Sequence, residues 1–130
     1  MTFALAGQIS RQTKSRDDLA DGTLQVLSAG GTVLFSVTLD DPAGTVSGTT
    51  AALTFAGFPK VVSGAAAGTA AAARWMTQAG TLYKTVSSEV GSPAVGIPGS
   101  GAKIVIDNGA GTLAIGVGDE IEVLAAAWGY

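Results

Sequence analysis

The chain has 130 residues, seven basic and ten acidic side chains, and neither Cys nor His. That length suits one domain, and a second core would have too few residues. Zero Cys excludes disulfides, thiolate metal sites and a Cys nucleophile, zero His excludes a Ser–His–Asp triad, and a net charge of -3 offers no basic footprint for nucleic acid.

Residues 8–20 hold most of the early charge and contain no Gly or Pro. Ile9, Thr13, Arg16 and Ala20 recur at helical spacing, which predicts one short amphipathic helix. Arg11, Lys14 and Arg16 are followed by Asp17, Asp18 and Asp21, so the charges read as a solvated amphoteric face. Residues 1–7 lack a basic start and lead into polar sequence, so no secretory signal is expected. No run approaches the roughly 18 apolar residues of a membrane span, and no membrane partner is expected.

After Gly22 the composition changes to Gly, Thr and β-branched residues. Residues 22–28 alternate Leu24 and Val26 against Thr23, Gln25 and Leu27. Ala29, Gly30 and Gly31 form a turn, and residues 32–39 return with Val33, Phe35, Val37 and Leu39 on one face, a predicted β-hairpin. Pro42 ends it, because proline cannot donate to a ladder. Residues 50–55 are the next predicted strand, broken at Phe58-Pro59.

The Ala-rich run at 65–74 suits a helix by propensity, but Gly64 and Gly68 oppose one. Residues 68–77 are therefore read as a strand, with residues 81–90 returning after the turn at Gln78-Ala79-Gly80. Residues 91–101, with Pro93, Pro98 and four glycines, read as a loop. Residues 103–107 and 112–117 are strands flanking a turn at 108–111. Residues 119–127 form the last strand, with Ile121 and Val123 on one face and Glu120 and Glu122 on the other.

About eight short strands with close turns predict a mainly β fold: an antiparallel β-sandwich or jelly-roll-like domain with one short N-terminal helix. The expected organisation is a helical segment or arm over residues 1–21 and a sandwich over residues 22–130. Much of the 47% hydrophobic content is Ala, and aromatics are only 6%, so few residues can build the core. These are Leu24, Val26, Leu34, Phe35, Val37, Leu39, Leu53, Phe55, Trp75, Ile104, Ile106, Leu113, Ile115, Ile121 and Val123. Burying each large one contributes on the order of 1.5–3 kcal/mol. Ordering the backbone costs about 1–2 kcal/mol per residue, so the balance is thin for a lone domain and contact with neighbours would relieve it.

The residues carry little sign of chemistry. Gly99-Ser100-Gly101-Ala102-Lys103 lacks the second half of a phosphate loop. Asp40-Asp41 and Asp119, Glu120 and Glu122 read as solvated acids, since neighbours in a strand point to opposite faces. No enzyme activity, cofactor or metal is expected. Three residues are candidates for a subunit contact: Arg74, Trp128 and Tyr130. Arg and Trp are enriched at interfaces, and two large aromatics near a terminus either fold back on the core or dock on a neighbour. A carbohydrate- or ligand-binding module using Trp128 and Tyr130 is a further reading.

The chain resembles a family of small structural proteins of tailed bacteriophages. The likeness lies in Gly22-Thr23-Leu24-Gln25-Val26 after a helical stretch, and in a Leu-rich strand from Leu34 to Leu39 closing on Pro42-Ala43. It continues with Gly68-Thr69-Ala70, Arg74-Trp75, Gly80, Val90-Gly91 and the closing strands at 103–107 and 116–124. The loop at 91–101 is longer, and the helix more charged, than that pattern. The resemblance implies a virion protein without enzymatic activity, made in the bacterial host cytoplasm. It implies a head decoration (cement) protein on the capsid surface, bound to the major capsid protein as a homo-oligomer, with a trimer favoured. A tail or head–tail connecting subunit is the nearest alternative.

Overall fold

The computed structural model describes residues 4–86, 88–89, 92–93, 95–100 and 102–128. Helix α1 covers Leu5–Asp18. Strands β1 (Thr23–Ser28) and β2 (Val33–Thr38) form the expected hairpin. Short strands β3 (Gly44–Val46), β4 (Leu53–Phe55) and β5 (Lys60–Ser63) follow. The long β6 (Gly68–Met76) and β7 (Leu82–Val86) are the next antiparallel pair. Four two- to four-residue strands come next: β8 (Ser88–Glu89), β9 (Ser92–Pro93), β10 (Val95–Gly96) and β11 (Ile104–Asp107). Strands β12 (Ala114–Ile115) and β13 (Glu120–Trp128) complete the set.

The architecture is a mainly β, two-sheet sandwich with one N-terminal helix. One sheet runs β12-β6-β1-β2, with β7 also on β6; the other runs β10-β11-β13-β4-β3, with β5 also on β13. Each sheet is built on a nine-residue strand, β6 or β13, that pairs with two different strands along one edge. Long central strands held by several short ones suit a sequence punctuated by 19 glycines. The core lies between the sheets, lined by Leu24, Val26, Phe35, Val37, Trp75, Ile104, Ile106, Ile121 and Val123.

Three details depart from the sequence reading. Residues 60–63 form β5, which the sequence reading did not assign. Val61 and Val62, bounded by Pro59 and Gly64, are the β-branched signal for it. The described part of the 91–101 segment is not all loop: it contains β9 and β10, and Val95 is fully buried. β10 pairs with β11 in parallel, so the sandwich is not wholly antiparallel. The 112–117 strand shrinks to β12, which joins β6 in the first sheet, while β11 lies in the second. The turn at 108–111 thus carries the chain between sheets. Asn108 fixes that crossing: its Nδ2 donates to the Ala114 carbonyl at 2.7 Å, and its Oδ1 accepts from Ala110 N–H at 2.9 Å.

A bulge explains why both Leu34 and Phe35 are buried. Val26 faces Phe35 and Leu27 faces Val33, leaving Leu34 as the extra residue. Its carbonyl accepts from Ala65 N–H at 2.7 Å, joining β2 to the segment after β5. The same corner is closed at its other end by Lys60 Nζ, which donates to the Thr38 carbonyl at 2.7 Å and to Asp40 Oδ1 at 2.6 Å. The open edge of β2 is thereby capped, as exposed strand edges require.

Candidate binding face

Arg74 sits in β6, directly opposite Gln25 in β1, on the face of the first sheet that points away from the core. Its neighbours Ala73 and Trp75 are buried, so the strand alternation turns Arg74 outward. Its Nε donates to Gln25 Oε1 at 2.5 Å. Both residues are half-buried. Among the described residues Arg74 makes no ion pair, because the three salt bridges are Lys14–Asp18, Arg16–Asp17 and Lys60–Asp40. The guanidinium is therefore oriented by a neutral side chain, and no carboxylate pairs with it among the described residues. A planar fork held in this way suits a carboxylate or phosphate on a partner.

Most of the residues around it on this face are small. Thr23, Ser36, Thr38 and Ala72 lie on the same outer face, with Ser36 across from Gln25 and Thr38 across from Thr23. Met76 completes the row next to Thr23. The sequence reading singled out Arg74 but not Gln25. Strand alternation alone does not reveal which residue lies across a pairing, and only the β1–β6 register brings the two together.

Trp128 occupies a different place. It is 3% exposed and folds back onto the core, the first of the two alternatives for the terminal aromatics. It packs edge-on against Trp75 at 5.1 Å and Phe55 at 5.4 Å, and Phe55 stacks on Trp75 at 5.6 Å. This cluster joins β6 of one sheet to β4 and β13 of the other. A buried indole gives a sugar no platform. Tyr130 lies outside the described residues.

Tyr83 extends the cluster to the surface and was not singled out by sequence. Its ring stacks on Trp128 with centroids 6.2 Å apart. Its hydroxyl donates to Asp18 Oδ2 at 2.9 Å and lies 3.3 Å from Ser15 Oγ, both on α1. Lys14 Nζ reaches the same Asp18 carboxylate at 3.0 Å. The Lys14 hydrogen bond first, and the Tyr83 hydrogen bond second, hold the Asp18 carboxyl below the usual carboxylate range. Burial pushes the Tyr83 phenol above its usual value.

Of the acidic residues weighed from sequence, Glu120 and Glu122 lie in β13, while Asp40 and Asp119 have partners. Asp40 pairs with Lys60, and Asp119 Oδ2 accepts from Gly116 N–H at 2.7 Å. Asp107 Oδ1 accepts from Gly109 N–H, also at 2.7 Å. Among the described residues, no three acidic side chains gather where they could hold a metal ion. In comparisons with known proteins, no family model matches the chain, and neither a curated protein nor a solved structure is found similar to it.

Proposed function

We propose that this chain is a non-catalytic binding subunit of a tailed-phage particle, a decoration protein that docks on the outer surface of the head and bridges copies of the major capsid protein. The phage assignment rests on the sequence resemblance. The structural observation that supports a docking role is Arg74, held by Gln25 on a sheet face of mostly small residues, with no ion pair among the described residues. In this reading an acidic group of the capsid lattice completes the ion pair, and apolar area buried across capsomer joints adds binding free energy to the assembled shell. A homo-oligomer, with a trimer favoured, would place several such faces on one lattice.

Copy number in purified particles tests it. Hundreds of copies per head, reduced when Arg74→Ala replaces the native chain, are the expected result. A few copies per particle would sink the decoration reading. Immunogold labelling on the tail would select a tail subunit in its place.

A further inference from the structure

We propose that α1 is an exchangeable arm: it docks on its own sandwich in this structure, and takes the same seat on a second copy when chains meet. This goes beyond the coat reading, since it concerns contact between copies whether or not they lie on a particle.

The seat is made by the sandwich. α1 packs over β3 and β4, Leu19 just beyond it is completely buried, and Tyr83 holds Asp18 and Ser15 from β7. All these contacts lie between residues 5–19 on one side and the sheets on the other. None depends on the two being joined by the same chain.

The arm is lightly held. Within Leu5–Asp18 the only buried residue is Gln12, and no apolar side chain of the helix enters the core. Its N-terminus has no side-chain cap and no acidic residue in the first turn, and Leu5 is 41% exposed. Leu19, just past the helix, enters the core cluster.

The hinge is strained. To turn the chain back from helix to β1, Asp21 adopts a φ of 57°, the left-handed region, which Asp enters more readily than most non-glycine residues but less readily than Gly. Gly22 beside it is pressed against the carbonyls of Met76 and Leu19, with no room for a Cβ. Straightening residues 20–22 releases Asp21 from that conformation and sends α1 away from its own body. A short strained hinge next to an intact docking seat is the arrangement that favours exchange of an element between copies. Closed and exchanged forms keep the same seat contacts and differ in the hinge, so concentration decides between them.

The hinge can be biased both ways. Asp21→Gly accepts the left-handed turn and should lower the association constant measured by sedimentation equilibrium. Asp21→Pro forbids that φ and removes the N–H that donates to the Asp40 carbonyl, so it should raise the constant at least tenfold. Because the chain has no Cys, a double variant Lys14→Cys, Leu82→Cys reads out the seat directly. Both side chains are exposed and flank the Tyr83–Asp18 contact. Bridged by a flexible bismaleimide, exchanged arms give covalent dimers and higher species that increase with protein concentration. Linked material that runs only as monomer over the whole concentration range overturns the proposal, even if the hinge variants fail to fold. Equal association constants for Asp21→Gly and the native chain would overturn it as well.

Discussion

The hydroxyl of Tyr83 donates to the carboxylate of Asp18 at 2.9 Å, and this contact links the helix to the aromatic cluster that joins the two sheets. Tyr83 therefore serves two structures at once. Its ring covers Trp128 and its hydroxyl holds α1.

The first prediction concerns pH. Asp18 has its carboxyl lowered in the folded chain, so the stability it contributes is present above the ordinary carboxylate value and is lost as pH falls through the lowered one. Tyr83 has its phenol raised, so its contribution is present below the ordinary phenol value and is lost as pH rises through the raised one. The stability difference between native and Tyr83→Phe chains should be greatest on the plateau between these limits and shrink at both ends. Urea midpoints taken from acid to alkaline pH measure it. A difference that does not vary with pH would show that the ionisation of Asp18 and Tyr83 plays no part in what the contact contributes.

The second prediction uses two glycines that differ only in surroundings. A Cβ on Gly44, in β3, would run into the carbonyl of Thr54 across the β3–β4 ladder. Gly48, two residues past that strand, has nothing within 4 Å and no positive φ. Gly44→Ala should destabilise by about 2 kcal/mol or more, as strain at a close backbone approach does. Gly48→Ala should be neutral or stabilise by about 0.4–1 kcal/mol, because alanine restricts the unfolded chain more. Denaturant midpoints at unchanged slope separate the two.

Much of the fold was legible because the chain announces its pairings locally. The Leu24–Val26 and Phe35–Val37 alternation fixed the first hairpin, and Ile121–Val123 against Glu120–Glu122 fixed the last strand. The Ala run was ambiguous by propensity, yet Ala70 and Ala73 line the core as strand residues because the facing layer packs closely. Part of what escaped was non-local. β5 is held by β13, about 60 residues away, a partner that no short window shows. β10 escaped for another reason: it pairs with the nearby β11 in parallel, Val95 beside Ile104, where turn signals announce antiparallel returns. The candidate face shows the non-local limit again. Arg74 is conspicuous by charge, while Gln25 gains meaning only from register. Tyr83 gained its role from a helix that folds back across 65 residues of chain.

The third prediction addresses Arg74 and Gln25 directly. The pair is half-buried and one partner is charged, so a double-mutant cycle with Arg74→Ala and Gln25→Ala should give a coupling of about 1 kcal/mol. Each single variant should fold, since neither side chain enters the core. Gln25→Ala leaves the charge in place but frees its orientation. If the proposed docking is right, it should weaken attachment to particles less than Arg74→Ala does. Equal loss for both would assign the whole effect to orientation, and no loss for either would remove this face from the docking role.

The last prediction concerns Trp75, which is 1% exposed and packs against both Phe55 and Trp128. Its indole Nε1 is buried and finds no acceptor among the described residues. A buried unpaired donor costs about 1–3 kcal/mol, so the native residue carries a penalty that its packing must exceed. Trp75→Ala removes the packing and should cost about 3–5 kcal/mol. Trp75→Phe gives up part of the ring but also removes the unpaired N–H, so the two changes oppose each other. It should cost under about 1.5 kcal/mol, well below what the lost volume alone would predict. Urea unfolding of the two variants distinguishes the cases. A Phe variant as unstable as the Ala variant would mean that the indole N–H has a partner after all, and that the cluster depends on that bond rather than on ring packing.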